Sequence, residues 1–105
     1  MIKAEFFTTE SGSIKSFRIK GHSGYSDFGS DIVCASVSSS VMLAVNTAAE
    51  FFKVELSLDV EEGDIKCGIR EISSESDRLF KSLMSHLCEV SKEFPKNLKV
   101  VLSSA

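Results

Sequence analysis

The residues best suited to covalent chemistry are a histidine and a cysteine that lie twelve positions apart, His22 and Cys34. A cysteine thiolate is a strong nucleophile, and a neighbouring imidazole can take its proton and later deliver it to a leaving group. Residues 21 to 31 show no hydrophobic periodicity and contain three glycines, which predicts a mobile loop. Such a loop can bring the two side chains within hydrogen-bond reach, so the pair predicts acyl-transfer chemistry.

A helix is predicted to begin just before Cys34, over roughly residues 32 to 52, with Ser30 or Asp31 as its N-cap. If Cys34 lies in the first turn, the free N–H groups and the positive helix end favour the thiolate and can hold an oxyanion. Asp31 is either this cap or the acid that orients His22, and both roles are compatible. Ser38 lies one helical turn beyond Cys34, so its hydroxyl faces the same way.

The other two thiols have packing as their predicted role. Cys67 alternates with Ile65 and Ile69 in a strand pattern, and Cys88 lies on the apolar side of a second helix. No Cys-x-x-Cys pair or paired-ligand spacing is present, so we predict no metal, no cofactor and no disulfide framework. His86 is predicted to be an ordinary surface histidine.

Hydrophobic periodicity predicts the elements that position these residues. Alternation indicates strands at residues 2 to 9, 14 to 20, 54 to 61, 65 to 69 and from Leu98 onwards, and a second helix covers residues 75 to 92 until Pro95 stops it. The order ββαββαβ predicts an α+β domain with two helices packed on a mainly antiparallel sheet. The first helix is apolar on more than one side. It is therefore central among its neighbours, or sandwiched by a second small sheet or hairpin, or covered by another subunit.

Length and charge limit the class of protein. The 105 residues support a single domain, residues 1–105, and 12 basic against 15 acidic residues give a net charge of −3, which argues against a nucleic-acid partner. No leader-like N-terminus and no long uninterrupted apolar run are apparent, so we expect no membrane contact and a cytoplasmic location. A basic partner would suit the acidic hairpin formed by Glu55, Asp59, Glu61, Glu62 and Asp64.

Two short stretches carry a family resemblance. They are Gly21-His22-Ser23-Gly24-Tyr25, and Gly29-Ser30-Asp31-Ile32-Val33-Cys34-Ala35 followed by Val37-Ser38. Together they resemble the signature of the Prp family, the ribosomal-processing cysteine proteases of bacteria, and the length and element order are similar as well. The resemblance implies that His22 is the general base and Cys34 the nucleophile, with Asp31 and Ser38 as supporting polar residues. It also implies a loop that rearranges when peptide binds, formed around Gly21, Gly24 and Gly29.

The resemblance further implies a substrate and an assembly. Proteins of this family remove a short N-terminal extension from ribosomal protein bL27 after a hydrophobic, phenylalanine-containing motif, and they are typically homodimers. Two alternatives stay open from the residues. One is a ribosome-associated binding module that docks a basic protein without cleaving it. The other is a redox-active thiol protein that uses Cys34.

Overall fold

The computed structural model describes residues 1–21 and 28–104, except for the side chains of residues 28–31. The described chain follows the predicted order ββαββαβ. Its elements are β1 (Ile2–Thr8), β2 (Ile14–Lys20), α1 (Phe28–Asn46), β3 (Leu56–Glu61), β4 (Asp64–Ile69), α2 (Ser74–Glu93) and β5 (Leu98–Ser104). A π-helical turn, Thr47–Phe51, extends α1 and completes most of the predicted first helix.

The five strands form one sheet in the order β3-β4-β2-β1-β5. Neighbouring strands are antiparallel except for β1 and β5, which run parallel, so the predicted mainly antiparallel sheet is confirmed. The β3–β4 hairpin joins this sheet through the pairing of β4 with β2. The hairpin therefore does not cover the far side of α1, and the prediction that a second small sheet or hairpin sandwiches this helix is wrong.

The hydrophobic core lies between the sheet and the two helices. Three phenylalanines form a row through it, with ring centroids 5.5 Å apart for Phe6 and Phe17 and 5.4 Å apart for Phe17 and Phe80. Each of these rings is at most 1% exposed. Helix α1 adds a stripe of buried valines at helical spacing, namely Val33, Val37, Val41 and Val45. This packing fixes the face of α1 that turns away from solvent.

Helix α1 begins four residues earlier than predicted, at Phe28. The predicted caps Ser30 and Asp31 therefore lie within its first turn, and Gly29 belongs to the helix rather than to a loop. The predicted start is too late because Gly29 favours a loop, but glycine lowers helix stability by only about 1 kcal/mol. The burial of Val33 and Val37 against the sheet outweighs so weak a preference.

The outer side of α1 remains apolar and exposed. Leu43 is 71% exposed and Phe51 in the π-helical turn is 76% exposed. Residues Ile32–Phe51, with a mean hydropathy of 1.6, are long and apolar enough to cross a membrane by length and composition. In this domain 33% of that window is buried, and the buried part includes the valine stripe that α1 contributes to the core.

An ion pair joins β2 to β4 near the hairpin turn. The Arg18 guanidinium donates from Nε to Asp64 Oδ1 at 3.0 Å and from Nη2 to Asp64 Oδ2 at 2.8 Å. These hydrogen bonds hold the pKa of the Asp64 carboxyl below its usual value, although desolvation opposes the shift. The pair fixes the position of the turn relative to the end of β2.

Replacing Gly21 with alanine is expected to destabilise the protein more than the same change at Gly12. Both glycines have positive φ, 107° and 89° respectively, a conformation that costs other residues about 1 kcal/mol or more. A Cβ at Gly21 would also collide with the backbone carbonyl of Met1, whereas a Cβ at Gly12 meets nothing within 4 Å. Urea unfolding of both variants measures the difference. Equal losses of unfolding free energy would show that the approach of Met1 is not a constraint.

Candidate active site

A groove of about 340 Å³ lies between α1 and the turn of the β3–β4 hairpin. Helix α1 supplies Val37 together with Cys34, Ser38 and Met42, and the last three fall on one face because their spacing is four residues. The ends of the strands supply the rest of the wall. The lining residues from the strands and the turn are Ile2, Ile19, Gly21, Val60, Glu61, Glu62, Gly63, Asp64 and Ile65.

The thiol of Cys34 occupies a position that is half-buried at the edge of the core and open to the groove. Cys34 is the seventh residue of α1, so it lies beyond the first turn in which it was predicted. The helix dipole acts mainly over the first turn, and backbone N–H groups this deep are used within the helix. Activation by the helix end therefore contributes little here, and a neighbouring base becomes more important.

Neither of the other cysteines lines this groove. Cys67 is buried in the core, and loss of solvation raises the pKa of its thiol to about 11. That thiol is inert at neutral pH, as its predicted packing role requires. Cys88 lies half-buried on α2, away from the groove.

The chain contains two histidines, and they differ in their relation to the groove. His86 is exposed on α2 and lines a separate depression between the helices, together with Leu43 and Leu79. Among the described residues, that depression shares no lining residue with the groove of Cys34. His22 lies outside the described residues, but it is bonded to Gly21, which lines the groove.

The structure brings together three of the predicted site residues, Gly21, Cys34 and Ser38. Gly24 and the predicted base His22 lie outside the described residues. Asp31 belongs to α1, but its side chain is outside the described part of the chain. Gly29 is helical, so its assignment to the loop is wrong.

Sequence reasoning missed the apolar floor of the groove. Met42 was detectable, because it lies eight residues after Cys34 and so shares its helix face. The contribution of Ile2, Ile19 and Ile65 could not be predicted, because these residues become neighbours only through the order of the strands in the sheet. The sequence predicts an acidic patch at this hairpin, and three of its carboxylates, Glu61, Glu62 and Asp64, line the rim of the groove.

Fold and groove together define an α+β domain with a half-buried cysteine in the wall of an apolar cleft that has an acidic rim. The family model of the cysteine protease Prp matches residues 1–99 of the chain. The chain belongs to this family.

Individual relatives show the same similarity. The ribosomal processing cysteine protease Prp of Bacillus subtilis (strain 168) is 36% identical over 62 residues, which is 59% of this chain and 55% of that protein. The matched stretch thus spans about half the length of this curated relative.

Solved structures share the fold. An essential ribosomal processing protease Prp from S. aureus, in complex with a covalently linked product peptide, has a TM-score of 0.89 at 18% identity and covers 97% of this chain and 99% of its own. SMU.848 from Streptococcus mutans has a TM-score of 0.89 at 24% identity, with 100% and 99% covered. At these identities the likeness concerns the fold, which agrees with the predicted α+β class.

Proposed function

We propose that this protein is a cysteine endopeptidase in which Cys34 is the nucleophile and His22 the general base. The observation that carries the proposal is the shared groove. Cys34 lines one wall, and Gly21, the residue bonded to His22, lines another. Membership of the Prp family supports the same assignment. His22 is the better base of the two histidines because His86 lines a different depression.

The reaction proceeds through an acyl-enzyme. His22 takes the proton of Cys34, and the sulfur attacks the peptide carbonyl carbon to form a C–S bond. The C–N bond then breaks, and the amine leaves with the proton that the imidazolium returns. Water, deprotonated by His22, hydrolyses the thioester and releases the new carboxyl end. Asp31 and Ser38 assist as polar neighbours, Asp31 by orienting His22 and Ser38 from the next turn of α1.

The substrate is the N-terminal extension of ribosomal protein bL27. The isoleucines and Met42 that line the groove suit a hydrophobic recognition motif. The carboxylates on its rim suit the basic protein that follows the extension. A structure of the S. aureus protease with a substrate peptide, which has a TM-score of 0.86 at 19% identity, supports a peptide as partner.

The active assembly is a homodimer in the cytoplasm. Exposed Leu43, Phe51 and Phe52 give α1 and its π-helical turn an apolar outer side that a second copy can cover. Analytical ultracentrifugation at several concentrations measures this association directly.

A peptide chloromethyl ketone ending in the recognition motif tests the proposal. One equivalent is expected to alkylate Cys34, and tryptic mass spectrometry locates the adduct. Cys67 and Cys88 serve as internal controls in the same molecule and are expected to stay unmodified, because neither lines the groove. An adduct on Cys88 instead would contradict the assignment. Stoichiometric binding of the free peptide without cleavage would favour the binding-module alternative.

A further inference from the structure

The edge strand β3 lies beside the groove and offers unused backbone hydrogen-bonding groups. It ends the sheet, and among the described residues no strand pairs with its outer side. Its penultimate residue, Val60, lines the groove of Cys34. The outer edge of the sheet and the groove are therefore continuous.

The register of the hairpin shows which groups of β3 face outward. The Arg70 N–H donates to Glu55 O at 3.0 Å, so these two residues form a hydrogen-bonded pair of the antiparallel ladder. Such pairs alternate along an antiparallel ladder, which makes Ser57 with Gly68 the next one. Leu58 and Val60, at the alternate positions, therefore direct their N–H and C=O groups to the free edge.

The side chains of the same two residues are also unusually exposed for a strand that packs on a core. Leu58 is 42% exposed and Val60 is 55% exposed. Long edges of this kind invite pairing with another chain. From residue 56 to residue 62, the strand and its turn carry three carboxylates, Asp59, Glu61 and Glu62, and no lysine or arginine, so a basic chain is the complementary occupant.

We propose that the substrate binds as an added strand on the free edge of β3, with its backbone bonded to Leu58 and Val60. This inference rests on the proposed peptidase function and specifies how the substrate is held. Backbone pairing supplies affinity, and the alternation of side chains supplies specificity. Substrate residues on the helix side contact Leu58 and Val60, and those on the opposite side face Asp59 and Glu61. The added strand leads directly into the groove, where Cys34 meets the scissile bond.

Proline substitution tests the pairing. Leu58→Pro removes an outward N–H and leaves the ladder to β4 intact, which is where an edge strand tolerates proline. In a Cys34→Ala background, this change is expected to weaken binding of a fluorescent peptide that spans the bL27 extension by about tenfold. The same measurement with Val60→Pro is expected to give a similar loss.

Leu102→Pro is the matched control on the opposite edge of the sheet. Ile2 N–H donates to Asn97 O at 2.8 Å, so the odd-numbered residues of β5 direct their backbone groups to β1. The backbone N–H and C=O groups of the even-numbered residues, including Leu102, therefore face the free edge. Leu102→Pro is expected to change peptide affinity less than about twofold. Equal affinities for Leu58→Pro and Leu102→Pro would overturn the proposed strand addition, and cleavage by the wild-type protein would then still support the peptidase.

Amide hydrogen exchange provides a second measurement that needs no proline variant. In the Cys34→Ala protein, the exchange of the Leu58 and Val60 amides is expected to slow at least fivefold when the peptide is added. Unchanged exchange would overturn the inference.

Sedimentation tests whether a second copy of the chain, instead of the substrate, occupies the edge of β3. If Leu58→Pro turns dimers into monomers, the edge is a dimer interface and the proposed strand addition by substrate is wrong. If the peptide protects these amides but the wild-type protein never cleaves it, the peptidase proposal fails and the binding edge stands.

Discussion

Replacing Cys34 with alanine is expected to lower kcat/KM for a bL27-extension peptide by more than about a thousandfold. The variant retains the groove but has no atom that can form the acyl-enzyme. His22→Ala is expected to cause a loss of the same order, because the helix end offers little help to a thiol in the seventh position of α1. Chromatographic separation of the peptide products measures both rates.

Cys88→Ala is the matched control for this experiment. It removes another half-buried thiol from a helix that is outside the groove, and it is expected to leave kcat/KM within about twofold. Circular dichroism shows whether each variant remains folded. Cleavage that survives in both Cys34→Ala and His22→Ala would refute the proposed mechanism, since no step of it proceeds without both side chains.

Replacing Phe17 with alanine is expected to reduce the free energy of unfolding by about 3 to 5 kcal/mol. Its ring is 1% exposed and lies between Phe6 on β1 and Phe80 on α2, so truncation leaves a cavity that removes contacts on both sides. A domain of this size is typically stable by only about 5 to 15 kcal/mol. Urea titration of the wild type and the variant gives the difference.

Leu102→Ala is the control for Phe17→Ala. Leu102 is 59% exposed, and its truncation is expected to change the free energy of unfolding by no more than about 0.5 kcal/mol. Comparable losses for the two variants would mean that the phenylalanine row is not the centre of the core.

The elements of this fold could be predicted wherever local periodicity decides them. The strand at residues 14 to 20 was predicted with its observed bounds, and α2 was predicted to within one residue at each end. The start of α1 could not be predicted, because tertiary packing of Val33 overrides the weak preference of Gly29. The groove was only partly predictable. Its helix face follows from spacing within α1, but its floor depends on which strands become neighbours, and that information is not local.

The parallel pairing of β1 with β5 has a consequence for synthesis of the chain. Ile2 pairs with Leu98, so β1 obtains its outer neighbour only after the other described elements, which lie between β1 and β5 in the sequence, have been synthesised. Closing so long a loop is entropically costly and slow. A nascent chain therefore exposes the outer edge of β1 until β5 has been synthesised, and truncation before Leu98 is expected to leave an aggregation-prone product.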